Sequence, residues 1–201
     1  MQNYEYEKQK LAEGYRVICG CDEAGRGPLC GSVVAAAVIL PLDFEIEGLN
    51  DSKKLTEKKR ERLFDVICEN AIAFGIAEAT PEEIDEYNIL NASMLAMRRA
   101  IEKMGVDVDC ALIDGNHARG FHIDAFPIVK GDAKSASIAA ASILAKVTRD
   151  RMCLAQDAEY PEYNIKKHKG YPTKEHMDAV RRFGPSPIHR KTFLKFLDTE
   201  G

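Results

Sequence analysis

No run of 18 uncharged apolar residues occurs in this 201-residue chain, which leaves no candidate for a membrane-spanning helix. The opening Met1-Gln2-Asn3-Tyr4-Glu5-Tyr6-Glu7 lacks the basic and apolar regions of a secretory signal, so a soluble, cytoplasmic protein is expected. The six cysteines, Cys19, Cys21, Cys30, Cys68, Cys110 and Cys153, form no C-x-x-C pair that histidines could complete into a zinc site. Most lie inside apolar runs, which predicts reduced core thiols rather than a disulfide framework or a zinc module. Internal repeats and low-complexity segments are absent, and the length suits one well-packed core with a C-terminal extension.

Charge of one sign is also lacking overall, with a net value of -4, but the distribution is uneven. Residues 160–197 hold nine basic residues against three acidic ones, a local +6 that leaves -10 for the remainder. A basic end beside an acidic body suits an enzyme of phosphate chemistry, in which lysine and arginine hold phosphates and carboxylates hold cations. For any single lysine, a solvated helix surface is the simpler account.

What is present is a repeated placement of acid beside glycine. An apolar run over residues 17–21 leads into Asp22-Glu23, then Gly25-Arg26-Gly27. A second run over residues 108–113 leads into Asp114-Gly115, and Asp132 sits in Lys130-Gly131-Asp132-Ala133-Lys134. Carboxylates crowded at strand ends need cations or hydrogen bonds to offset their desolvation, and oxygen donors without histidine or cysteine favour Mg²⁺ or Mn²⁺ over zinc. The glycines allow main-chain amides to approach a phosphate or ribose closely. The bland alternative makes Asp114 a turn former and Asp132 a residue at a helix N-terminus. Asp150 lies 18 residues after Asp132, roughly 27 Å away along one continuous helix. Both cannot serve one cluster, and Asp150 is assigned a structural role, paired with a nearby arginine.

The patterning predicts strands over residues 17–21, 33–40, 71–77, 108–113 and within 121–129. Amphipathic or small-residue helices are expected over 56–70, from Thr80 to Gly105, over 135–156 and over 173–183. Thr80-Pro81-Glu82-Glu83 has the form of a capping box with proline at the first helical position. The methionines Met94, Met97 and Met104 are read as core packing, and Ala136, Ala139, Ala140 and Ile143 as a face for close contact with a sheet. The order implies an α/β fold, a mixed sheet with helices on its faces.

These segments together resemble bacterial ribonuclease HII, a family of the ribonuclease H-like superfamily. The resemblance rests on Asp22-Glu23-Ala24-Gly25-Arg26-Gly27-Pro28-Leu29, Asn50-Asp51-Ser52-Lys53-Lys54-Leu55, Ile113-Asp114-Gly115 and Gly131-Asp132-Ala133-Lys134-Ser135. It continues in the segments 140–151, 168–173 and 184–190, and so runs almost end to end. It implies a ribonuclease H-like mixed five-stranded sheet flanked by helices, with a catalytic core over residues 1–156 and a small helical, basic, substrate-binding extension over 157–201 in the same compact domain. It further implies an endonuclease that cuts the RNA strand of RNA/DNA hybrids and nicks duplex DNA 5′ of an embedded ribonucleotide, leaving 3′-hydroxyl and 5′-phosphate ends. The matching carboxylates, Asp22, Glu23, Asp114 and Asp132, would hold two divalent ions.

By the same resemblance, the backbone of Gly25, Arg26 and Gly27 would read the ribose 2′-hydroxyl, and Tyr171 would stack on the sugar at the RNA-to-DNA junction. Lys53, Lys54, His168, Lys169, His189 and Arg190 are candidate contacts to the substrate backbone. His117, His122 and His176 are taken as structural. Cys30 and Ser32 stand where alanine and proline would be expected. A monomer is expected, a contact with a replication clamp is left undetermined, and the sister type with an added N-terminal domain is disfavoured.

Three other readings compete. A dinucleotide-binding oxidoreductase fails on spacing, because Cys30-Gly31 leads straight into a strand where that fingerprint needs a helix. A DNA resolvase of the same superfamily would share the acids without needing the glycine turn and Tyr171. A non-catalytic hybrid-binding protein would be repelled from its own ligand by four uncompensated carboxylates.

Overall fold

The computed structural model describes residues 3–42, 44–49 and 55–198, so Lys53 and Lys54 lie outside the described residues. The sheet comprises β1 (Ile18–Ala24), β2 (Val33–Ile39), β3 (Ala73–Ala79), β4 (Cys110–Asp114) and β5 (Asp124–Ile128). The strands lie in the order β3-β2-β1-β4-β5. β1 pairs antiparallel with β2, and β2 antiparallel with β3. β4 is parallel to both β1 and β5. The mixed five-stranded sheet is therefore as expected. β1 runs farther than its apolar run suggests, however, and carries Asp22 and Glu23 within the strand. Pro127 is accommodated because β5 is an edge strand, where a missing N–H costs no ladder bond on the open side.

The helices are α1 (Glu5–Ala12), α2 (Glu57–Asn70), α3 (Pro81–Lys103), α4 (Ala136–Glu159), α5 (Ile165–His168) and α6 (Lys174–Phe183). Thr56, Ser135 and Thr173 each cap a helix through the side-chain oxygen. Thr80 and Glu83 form the reciprocal capping box that their spacing predicts. α3 is bent at Asn88, whose φ of 66° interrupts the helix and whose Oδ1 accepts from the amides of Leu90 and Asn91, capping the second segment. α1 was not anticipated. It brings the buried Glu7 to the start of α4, where the carboxylate accepts from Ser135 Oγ at 2.7 Å and from the Ser137 amide at 3.0 Å.

α3 covers one face of the sheet, packing Ala92, Ala96, Met97 and Ala100 with Cys19, Cys21, Val33 and Ala35. α2 and α4 cover the other, with Leu63, Ile67, Ala140, Ile143 and Leu144 beside Ala36 and Val38. The six cysteines are free and all but Cys68 are buried, as expected of core thiols. A third cluster joins Tyr163, Ile165 and Val180 of the C-terminal segment to Leu29, Cys30 and Cys153. That segment is thereby seated on the turn that follows β1. Among the described residues, no helix is long and apolar enough to cross a membrane.

Candidate active site

The registered pairing of β1 with β4 ends at Cys21 and Ile113, so the next residue of each strand places Asp22 and Asp114 side by side at the same end of the sheet. Both line a cleft of about 450 Å³, with Glu23 beside them. Asp22 is 7% exposed, accepts from the Glu23 amide at 2.7 Å and bonds the Ser142 hydroxyl. Burial pushes its carboxyl well above the ordinary range, and the negative charges of Glu23 and Asp114 push it further. Strand alternation would send Glu23 to the opposite face. At the strand end it nevertheless faces the cleft, held by Arg26 Nη1 at 3.2 Å. Burial raises the Glu23 carboxyl, and the Arg26 charge offsets part of that rise. Its Oε2 is buried and, among the described residues, has no hydrogen-bond partner.

A carboxylate oxygen without a partner among the described residues, set among mutually repelling buried acids, is the kind of donor set that a cation compensates. The residues present therefore fit divalent metal, and hard oxygen ligands fit Mg²⁺ or Mn²⁺. Asp132 lies in a separate short 3-10 turn over Gly131–Ala133, ahead of α4 rather than on it. The Gly131 amide donates to Asp114 Oδ1 at 2.6 Å, which anchors that turn beside the acids. Asp150 is 4% exposed and binds Lys146 at 2.7 Å and Arg60 at 3.8 Å. Its structural assignment thus has a lysine as well as an arginine behind it.

The same cleft is lined by Gly25, Arg26, Gly27 and Tyr171. Gly25 has φ +98°, and a Cβ there would fall 1.9 Å from Arg149 Nε, so both conformation and space demand glycine. Tyr171, 46% exposed, lies across Gly27, with its Cε1 3.1 Å from where a Cβ would sit. Ser142, Lys146 and Arg149 of α4 complete its lining, with Arg60 of α2. These four were not among the sequence candidates. Their signal was available for α4: three polar residues at i, i+4 and i+7 interrupt a face that is otherwise small and apolar.

Three expected backbone contacts are corrected by burial. His168, His189 and Arg190 are 9%, 3% and 0% exposed, and their polar atoms are committed inside the protein. The Gly170 amide donates to His168 Nδ1, leaving Nε2–H to donate to the Tyr163 carbonyl at 2.8 Å. His176 Nδ1–H donates to the Gly170 and Tyr171 carbonyls, so its Nε2 accepts from His189 Nε2–H at 3.1 Å, while His189 Nδ1 accepts from the Ser186 amide. Each ring therefore has one workable tautomer. Cys30, His176 and His189 do bring one ligand-type atom each within 4.8 Å of the others. With the ring nitrogens of both histidines already hydrogen-bonded, the cluster is a relay that holds the Tyr171 segment. Lys169 is half-buried and its carbonyl accepts from Arg149 Nη1 at 3.1 Å.

This relay predicts acid sensitivity. Burial, aided by the neighbouring His176, depresses His189 to about 4, and burial also lowers His176. The unfolded chain then takes up protons first, so the relay's stabilisation is complete above pH 6.5 and is lost as pH falls toward 4. From pH 7 to pH 5 the urea midpoint should decline by the equivalent of about 1–2 kcal/mol after allowance for solvent screening, and His189→Asn should flatten that slope. An unchanged slope in His189→Asn would remove the relay as the cause.

Comparison with known proteins places these features in context. The sequence model of the family described as Ribonuclease HII matches residues 19–196. The chain is 55% identical over 190 residues to Ribonuclease HII of Clostridioides difficile (strain 630), spanning 94% of this chain and 74% of that protein. It is 52% identical over 195 residues to Ribonuclease HII of Caldicellulosiruptor bescii, spanning 96% and 95% of the two chains. The crystal structure of ribonuclease H2 from Pyrococcus horikoshii OT3 superposes with a TM-score of 0.76 at 26% identity, over 91% of this chain and 97% of that one.

Proposed function

The chain belongs to the ribonuclease HII family, and from that premise we propose that it hydrolyses the RNA strand of RNA/DNA hybrids and nicks duplex DNA 5′ of an embedded ribonucleotide, leaving 3′-hydroxyl and 5′-phosphate ends. The observation that carries this reading is the meeting of Asp22, Glu23 and Asp114 with the Gly25–Gly27 turn and Tyr171 across a single cleft. An acidic centre alone would serve any nuclease of this fold. The glycine turn and the exposed tyrosine beside it supply a place to examine a sugar.

In this reading Asp22, Glu23, Asp114 and Asp132 would hold two divalent ions, Mg²⁺ or Mn²⁺, which when bound supply charge neutralisation at the phosphodiester and a more acidic water. The side chains of the chain itself orient the substrate. Tyr171 offers a flat apolar surface to the sugar, and Lys146 and Arg60, which also pair with Asp150, add positive charge to the lining that the phosphate would meet. The basic segment over residues 160–197 holds the flanking duplex, with an affinity that falls as salt rises.

The test is cleavage of a labelled DNA duplex containing one ribonucleotide, with Mg²⁺, with Mn²⁺ and with chelator. A metal-dependent nick 5′ of the ribonucleotide is expected, and Asp114→Asn should lose it. Cutting of DNA junctions instead would favour the resolvase reading. Hybrid binding without cleavage would favour the non-catalytic one.

A further inference from the structure

The side chain of Arg190 is fully buried beneath the turn that follows β1, and four of its donor bonds go to main-chain carbonyls of that turn. Nη2 donates to Gly25 O at 2.6 Å, Nη1 to Arg26 O at 3.0 Å and to Pro28 O at 2.8 Å, and Nε to Gly31 O at 2.9 Å. Burying a guanidinium costs several kcal/mol of desolvation. Burial, together with the nearby Arg149 charge, lowers its pKa to about 9, which still leaves it cationic at neutral pH. A charge committed at this cost to one loop fixes the orientation of the peptide planes in it.

The consequence follows from peptide geometry. No peptide bond among the described residues is cis, and in a trans unit the C=O and the following N–H point in opposite directions. With Gly25 O and Arg26 O drawn inward to Arg190, the amides of Arg26 and Gly27 are turned outward. Both residues are exposed on the wall of the cleft, and among the described residues neither amide meets an acceptor. Two neighbouring N–H groups aimed into one space form a concave donor site for an oxygen.

We propose that Arg190 is the positioning residue for sugar selection: it touches no substrate and sets the direction of the amides that do. This inference rests on the proposed reading of the cleft as a ribose-examining site. Arg149 supports the same turn from α4, donating to Cys30 O at 3.3 Å and to Lys169 O at 3.1 Å, and so ties the turn to the Tyr171 segment. Lysine cannot replace Arg190, because a single ammonium has three donors on one atom and cannot span four carbonyls along a planar fork.

The experiment compares wild type with Arg190→Lys for binding, in Ca²⁺, to a duplex with one ribonucleotide and to an all-DNA duplex of the same sequence, alongside kcat and KM in Mg²⁺. Arg190→Lys is expected to keep its affinity for the DNA duplex, to lose preference for the ribonucleotide duplex by roughly 10-fold or more, and to show a fall in kcat of up to about 100-fold as the sugar is misplaced. Equal weakening toward both duplexes, or an unchanged preference, overturns the inference. A wild type with no ribonucleotide preference overturns the underlying reading as well, so the two failures are distinguishable. If Arg190→Lys does not fold, NMR of the wild type decides. The Arg26 and Gly27 amides should shift with the ribonucleotide duplex and not with DNA, while the Arg190 Nε proton stays unshifted in both. A shift of that Nε proton would make Arg190 itself a contact and overturn its positioning role.

Discussion

Asp22→Asn is expected to reduce ribonucleotide-directed cleavage by on the order of 10³-fold, about 4 kcal/mol of transition-state stabilisation, while making the metal-free protein harder to melt. The two effects share one cause. Asp22 is buried beside Glu23 and Asp114, and burial and their charges raise its carboxyl well above the ordinary range. A carboxyl whose pKa is raised on folding binds its proton more tightly in the native state, so its contribution to stability is lost as pH rises through the folded value. At neutral pH the acidic cluster is a cost to the apo fold, and a neutral amide of the same shape relieves it. For a chain of this size each kcal/mol relieved raises the melting temperature by roughly 2–4 °C. Thermal melting in chelator should place Asp22→Asn above wild type, and excess Mg²⁺ should close or reverse the gap. A variant less stable than wild type in chelator would mean that the hydrogen bonds of Asp22 to Ser142 and to the Glu23 amide outweigh the repulsion.

Gly20→Ala should be among the most damaging single methyl additions in the protein. A Cβ at Gly20 would sit 2.3 Å from the Ile138 amide nitrogen and 2.4 Å from the Ser137 carbonyl carbon. These are backbone atoms of α4, so no side chain can swing aside and the helix must lift from β1. Overpacking typically costs ~1–3 kcal/mol, and a clash with a helix backbone belongs at or beyond the top of that range. A loss of about 3 kcal/mol from a total of roughly 5–15 should lower the melting temperature by roughly 6–12 °C. Activity should fall further than stability alone explains, because β1 carries Asp22 and α4 carries Ser142, Lys146 and Arg149. Gly48→Ala is the control: Gly48 has φ +90° but, among the described residues, nothing within 4 Å of the added carbon, so backbone strain without a clash should cost about 1 kcal/mol. Equal losses at the two positions would show that contact with α4 is not the determinant.

The sequence by itself determined a good deal of this protein. Period and capping placed the strands and helices, because Thr80 with Glu83 and the small-residue face of α4 are local chemistry. The acids Asp22, Glu23, Asp114 and Asp132 could be singled out because carboxylates close to a glycine shortly after an apolar run are a local pattern. The ordered series of motifs supplied the family, which the comparisons then showed. Only the tertiary structure decided which polar side chains face the cleft and which lie beneath it. His189 and Arg190 sit in a basic segment and look like surface cations in sequence. Their burial depends on the turn after β1, more than 150 residues earlier in the chain, offering carbonyls that a guanidinium can fill. The orientation of Glu23 was equally out of reach, since strand alternation points it away and only its neighbours at the strand end bring it back. Local propensities are written in neighbouring residues, whereas desolvation is a property of everything that packs around a group, and that is fixed only when the chain has folded.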